Sequence, residues 1–312
     1  MKDLRVIFMG TPVFACSVLE ALIEEKYNVV LAVSQPDKPV GRHHQVVSTP
    51  VHELADKYGI PVLQPERLRE ETEKILEYAP DLIVTCAYGQ FVPEVILNYP
   101  KYGCLNIHPS LLPKYRGGAP VHHAVWNGDT ETGVALMEMI KKMDAGKVYA
   151  VKRVPIGPDE TTEELNLRLM EVSKELIREA LPEYLEGNLP GTEQEEEKAT
   201  IARNISKEDE CISFKKEDLH QVYNHIRALI DWPVAYARIN NKRLKIYRAE
   251  IREGECTEET GKILGFRDGA MEVACTGGIL RILELQPEGK KRMKAADFAN
   301  GAGRALAGSC FE

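Results

Sequence analysis

The sequence predicts an α/β protein: a mostly parallel, Rossmann-like sheet covered by helices, followed by a small antiparallel β-barrel that is OB-like in size and pattern. Three observations carry this. Short apolar runs alternate with segments of helical period over residues 4–187. Residues 188–198 then form an acidic, weakly patterned stretch. Beyond residue 207 apolar and polar residues alternate, the period of half-buried strands. A first domain at 1–188, a linker at 189–207 and a second domain at 208–312 follow.

Residues 4–10 are an apolar run ending in Gly10, and Thr11 and Pro12 stand where a helix N-cap and first position belong. Val13, Phe14, Val18, Leu19, Leu22 and Ile23 continue at helical spacing. Residues 29–33 make a second buried strand, Thr49 and Pro50 open a helix that Gly59 closes, residues 60–63 read as a short strand and residues 67–78 as a helix. Residues 81–87 and 104–108 are strongly apolar strands. Continuous apolar strands between helices mark a parallel sheet buried on both faces. Residues 132–139 and 146–155 add strands. Residues 161–187 form a long amphipathic helix, opened by a Thr161/Glu164 capping box and kinked or restarted at Pro182. In the second module, strands fall at 236–239, 243–247, 261–264, 271–275 and 278–283.

Composition narrows the function classes. With 44% hydrophobic and 28% charged residues, the 312-residue chain has the texture of a globular protein and not of a disordered one. No apolar run is long enough to span a bilayer. The net charge of -8 argues against a globally basic nucleic-acid binder, so any RNA contact needs a local patch. The seven cysteines include no C-x-x-C pair, which predicts reduced thiols in the cytoplasm and neither zinc nor disulfides. Gly10 stands alone where a dinucleotide fold carries its glycine loop, so a tight strand-to-helix turn is the reading there.

The richest chemistry follows residues 104–108. Asn106 and His108 are two apart at a strand end and share one face, so a carboxamide and an imidazole can address one substrate oxygen. The next loop, residues 109–120, has a path set by three prolines and two adjacent glycines, and it leaves the carboxyl end of a strand, where open parallel sheets bind ligands. Asp144, in another inter-strand loop, can reach the same place. On their own, a strand-end histidine also reads as a structural hydrogen-bonding residue, and an Asp before Ala-Gly as a turn former.

Taken together, Asn106-Ile107-His108, the block from Ser110 to Gly117 and Asp144-Ala145-Gly146 resemble the formyltransferases that use 10-formyltetrahydrofolate. The blocks at residues 8–15, 35–42, 87–90, 126–133 and 285–291 are similar to the branch of that family that acts on methionyl initiator tRNA. The resemblance runs from about residue 4 to about residue 301 and implies a formyltransferase domain followed by a tRNA-binding barrel. It implies that Asn106 and His108 stabilise a tetrahedral oxyanion with help from Asp144, without metal or covalent intermediate. It places the folate co-substrate on Ser110, Leu111, Leu112, Pro113, Tyr88, Gln90, Phe91, Val92, Met139 and Ile140. Charged initiator tRNA would meet Lys38 and Arg42 in the polar insertion at 35–50, and Lys245 and Arg248 in the barrel, where basic residues cluster at 242–252 and 290–294. A monomer with no membrane attachment is expected. A formyltransferase acting on a sugar nucleotide and a non-catalytic tRNA-binding protein are the competing readings.

Overall fold

The computed structural model describes residues 3–40 and 45–312. In chain order the first elements are β1 (Arg5–Gly10), α1 (Val13–Glu24), β2 (Asn28–Val33), the hairpin strands β3 (Lys38–Val40) and β4 (Gln45–Val47), and α2 (Pro50–Lys57). Next come β5 (Val62–Leu63), α3 (Thr72–Glu77), β6 (Leu82–Cys86), α4 (Glu94–Leu97) and β7 (Cys104–His108). The series ends with α5 (Pro120–Trp126), β8 (Glu131–Glu138), β9 (Val148–Pro155) and α6 (Thr162–Leu185). The chain divides into two units: Met1–Pro120 with Glu131–Pro155 and Asn166–Arg203, and Val121–Thr130 with Ile156–Leu165 and Asn204–Glu312.

The first unit is built on a seven-stranded sheet in the order β5-β2-β1-β6-β7-β8-β9. The first five strands pair in parallel, whereas β8 runs antiparallel to both β7 and β9. The predicted parallel sheet is therefore closed on one side by an antiparallel pair. One face of the sheet packs Ile7, Met9, Leu31, Val33 and Ile83, all fully or nearly fully buried, against Leu68, Ile75 and Ile96. This core fixes the carboxyl ends of β6 and β7.

One helix boundary differs from expectation, and at Pro182 no second helix starts. Thr11 does not cap α1: its hydroxyl donates to the Tyr88 carbonyl at 3.0 Å and accepts from the Gln35 amide, so it ties three loops together. Helix α6 runs unbroken through Pro182. The Thr161/Glu164 capping box is present, with Thr161 N donating to the Glu164 carboxylate at 2.9 Å and Glu164 N donating back at 3.3 Å.

The second unit carries α7 (Leu219–Leu229), β10 (Tyr236–Ile239), β11 (Lys242–Glu253), β12 (Ile263–Arg267), β13 (Ala270–Cys275), β14 (Gly278–Pro287), β15 (Met293–Lys294) and α8 (Ala295–Ala299). Its antiparallel sheet has the order β10-β11-β14-β13-β12, with β15 on β14. The C-terminal residues bridge the two outer strands. Gly308 N donates to Ile263 O, Ile263 N to Ser309 O, and Glu312 N to Arg238 O on β10. An otherwise open edge is thereby covered, as a small barrel requires. Helix α7, which the alternating pattern does not announce, starts at a full Asp218/Gln221 capping box. Among the described residues no helix is long and apolar enough to cross a membrane.

Candidate active site

The pairing of β6 with β7 sets Thr85 beside Asn106. Thr85 is buried, and its hydroxyl donates to Oδ1 of Asn106 at 2.9 Å. The same hydroxyl lies 3.2 Å from the Leu105 carbonyl, so Thr85 anchors the Asn106 amide at the strand end.

Two residues on, His108 is buried and lies on the same face of β7. Its Nε2 stands 2.9 Å from the Tyr115 carbonyl, which can only accept, so the proton sits on Nε2. Tyr115 presents that carbonyl from a left-handed backbone, φ 64°, a conformation that costs a bulky residue roughly 1–2 kcal/mol. The ring's other nitrogen, Nδ1, faces Oδ2 of Asp144 at 3.8 Å. That is charge-pairing distance and not a hydrogen bond. The imidazole is thus oriented by Tyr115, and Asp144 supplies a nearby negative charge.

Asp144 sits in a left-handed turn, φ 49°, and accepts at Oδ2 from the Gly117 amide at 2.8 Å. Only glycine fits at 117: φ is +117°, and a Cβ would lie 2.7 Å from the Ala202 carbonyl oxygen. Gly146 closes the same turn where a Cβ would meet the Glu138 carbonyl oxygen at 2.1 Å.

Part of the expected linker belongs to this neighbourhood. Thr192 bonds to Val148 in both directions; Thr200 Oγ1 accepts from Tyr115 N, and Thr200 O accepts from Arg116 N. Gln194 donates to the carbonyls of Asp144 and Gly146. The buried Arg116 guanidinium forks onto Glu196 at 3.0 and 3.2 Å. Hydrogen bonds from Arg116 first and Lys142 second push the Glu196 carboxyl down to about 2.

The structure brings Asn106 and His108 to one strand face and sets Asp144 beside His108. The residues assigned to folate are dispersed. A cavity of about 530 Å³ is lined by Leu97, Cys104, Met139 and Ile140 with Lys141 and Lys142. Met139 continues from it to Thr85, its sulfur 3.0 Å from the hydroxyl. Ser110, Leu111, Leu112, Pro113, Tyr88, Gln90, Phe91 and Val92 are not part of its lining. The hydroxyl of Ser110 donates to the Lys114 carbonyl and so holds its own loop. Gln90 is fully engaged with Leu68, Pro65 and Gln35; Val92 packs on the core, and Phe91 is 79% exposed. The buried Tyr88 hydroxyl has no hydrogen-bond partner among the described residues, while its carbonyl receives Thr11 and Gln35.

Of the residues assigned to tRNA, Lys38 is exposed on the β3–β4 hairpin, and Arg42 lies outside the described residues, as do His43 and His44. The hairpin's base is fixed by Asp37. Desolvation pushes that carboxyl up, but hydrogen bonds from Gln64, His52 and Thr49 prevail and hold it below the usual carboxylate range. On β11, Arg248 is exposed, whereas Lys245 donates to the Pro233 carbonyl at 3.1 Å. Acids from other strands face much of the basic cluster: Arg243 meets Glu288, Arg252 meets Glu272, and Arg292 meets Glu284. The local positive charge is smaller than the linear sequence implies.

Sequence reasoning missed Thr85, the Tyr115 carbonyl, Arg116 and Gln194. A lone polar residue inside the apolar run at 81–87 is a signal for Thr85. Nothing in the acidic stretch singles out Gln194.

The formyl transferase family model matches residues 4–181, and the formyl transferase C-terminal domain model matches residues 204–303. Methionyl-tRNA formyltransferase of Geobacillus thermodenitrificans is 47% identical over 307 residues, which cover 97% of this chain and 96% of the relative. Among solved structures, HypX of Aquifex aeolicus in complex with tetrahydrofolic acid aligns with a TM-score of 0.62 at 20% identity, covering 95% of this chain and 46% of HypX. The Helicobacter canadensis N-formyltransferase in complex with folinic acid and dTDP-3-aminofucose aligns with a TM-score of 0.66 at 18% identity, over 91% of this chain and 99% of that one. At these identities the two structures speak to the fold.

Proposed function

Since the chain belongs to the methionyl-tRNA formyltransferase family, and is therefore a formyltransferase enzyme, we propose that it moves the formyl group of 10-formyltetrahydrofolate to the α-amino group of methionine on charged initiator tRNA. The observation that carries the reading of the site is the juxtaposition of Asn106, oriented by Thr85, with the His108–Asp144 pair at 3.8 Å.

The chemistry follows from the donors. The neutral amine attacks the formyl carbon, a C–N bond forms, and the carbonyl oxygen becomes an oxyanion. Asn106 Nδ2 donates to that oxygen, an interaction that strengthens as charge develops; one preorganised donor is worth about 10²–10³ in rate. The amine sheds a proton to His108 Nδ1, directly or through one water, because Nε2 is engaged with Tyr115. The Nδ1–H then also faces the oxyanion, while Asp144 offsets the charge on the ring. As the tetrahedral centre collapses, the bond to folate N10 breaks and N10 takes up the proton. Atoms and charge balance without a metal or an enzyme-bound intermediate.

The cavity sets the apolar Leu97, Met139 and Ile140 beside the polar Glu94, Asn98, Glu138, Lys141 and Lys142, groups that can meet the faces and the polar edge of a heterocycle. The cations for the RNA are Lys38 and Arg42 from the first unit, and Arg248 with Lys245 from the second, in a monomeric cytoplasmic enzyme whose 208–312 domain grips phosphates. The test is direct: purified protein, charged initiator tRNA and 10-formyltetrahydrofolate should yield N-formylmethionyl-tRNA, and absence of that product with both substrates bound refutes the reading.

A further inference from the structure

Gln194 lies in a stretch whose composition reads as linker, yet its whole amide is engaged around the site. Nε2 donates to the main-chain oxygens of Asp144 at 2.8 Å and of Gly146 at 2.7 Å, and Oε1 accepts from Nε of Arg116 at 3.0 Å. The opposite orientation would set the amide oxygen against two carbonyls and its N–H against a guanidinium, so the chemistry allows one assignment. Arg116 is buried and uses its remaining nitrogens on Glu196. The next residue, Gly117, donates its amide to Oδ2 of Asp144. Asp144 is thus held at two ends, its backbone by Gln194 and its carboxylate by Gly117, and the two holders are joined through Arg116. The turn needs such holding, because Asp144 has a left-handed backbone that an L-residue does not adopt without cost.

We propose that Gln194 is a positioning residue for Asp144, and that the segment at 192–202 is part of the catalytic apparatus and not only a connector between domains. This rests on the reading of Asp144 as the group that offsets charge on His108 during formyl transfer. Without the two N–H bonds the carbonyls of Asp144 and Gly146 lose their partners, the turn relaxes, and the carboxylate leaves its place opposite Nδ1. The loss falls on the transition state, where the ring carries charge, and not on the binding of either substrate.

The experiment is a double-mutant cycle of Gln194→Leu with Asp144→Asn, read as kcat and as KM for each substrate, with a thermal melt for every variant. Gln194→Leu is expected to lower kcat about ten- to hundredfold, the scale of an ångström-level misplacement, with both KM values within about twofold. In the Asp144→Asn background it should cost less than about twofold more, because the residue it positions is already disabled. Gln194→Glu keeps the chain length and the bond from Arg116 but has no N–H to donate; it should reproduce the loss, and it carries the comparison if leucine unfolds the protein. Normal kcat in a folded Gln194 variant, a rise in KM alone, or equal losses in both backgrounds would overturn the proposal. Full activity in Asp144→Asn alone would instead remove Asp144 from the chemistry and take the proposal with it.

Discussion

The hydroxyl of Thr85 donates to Oδ1 of Asn106 across the β6–β7 pairing, at 2.9 Å. In the proposed mechanism this bond holds the Asn106 carboxamide with Nδ2 toward substrate. Thr85→Val keeps the shape, removes the donor and leaves a half-buried amide oxygen without it, at a cost of about 1–3 kcal/mol in stability. The amide is then free to turn, so kcat should fall about tenfold while folate affinity holds. Steady-state rates with a folate-binding titration check this; unchanged kcat would show that Asn106 needs no orientation.

The alternation of buried strands and helices was legible because parallel strands are apolar on both faces, and residues 82–86 are wholly buried. Asn106 and His108 were legible because period-two spacing puts them on one face. The reversal at β8 was not, since a strand's direction leaves no mark in apolar spacing. The tie between residues 192–202 and the site was also hidden, because about half of its bonds join main-chain groups that any residue carries, and the rest join side chains far apart in sequence. The acids Glu288 and Glu272 are remote in sequence from Arg243 and Arg252 and meet them only once strands pair.

Gly117→Ala should damage both stability and rate. The added methyl would press on the Ala202 carbonyl from a backbone angle of +117°. Strain of this kind costs on the order of 1–3 kcal/mol and moves the amide that holds Asp144. A chemical melt and kcat measured together test it; a variant of normal stability and normal rate would contradict the account of this turn.

Arg248 and Arg252 should separate RNA binding from stability. Arg248 is exposed on β11, so Arg248→Ala should weaken tRNA binding and reduce the salt slope of log K by about one. Arg252 pairs at 3.0 Å with Glu272, which is 5% exposed, so Arg252→Ala should destabilise the second unit by leaving a buried carboxylate short of a partner. Titration at several salt concentrations, beside thermal melts, distinguishes the two. A salt slope unchanged in Arg248→Ala would take that residue out of the RNA contact.

His122 should make the protein sensitive to mild acid. Burial first, and the neighbouring His123 second, push it from 6.5 down to about 4. Between those values the unfolded chain binds a proton that the native state does not, so stability falls as the pH drops from about 6.5 toward 4 and is flat in this respect above 6.5. At about 1.4 kcal/mol per pH unit the effect is bounded near 3 kcal/mol. His122→Gln should flatten this part of the stability–pH curve. A slope that survives the substitution assigns the acid sensitivity elsewhere.

In the proposed mechanism Asn106 and His108 act together on one formyl carbonyl, with Asp144 beside Nδ1 of the ring. The most direct test is the rate of the chemical step in a single turnover, with charged initiator tRNA and 10-formyltetrahydrofolate both saturating. His108→Ala and Asn106→Ala should each slow that step by about 10²–10³ while folate binding stays within a few-fold of the parent protein. Transfer at close to the parent rate by either variant, with folate still bound, would contradict the account.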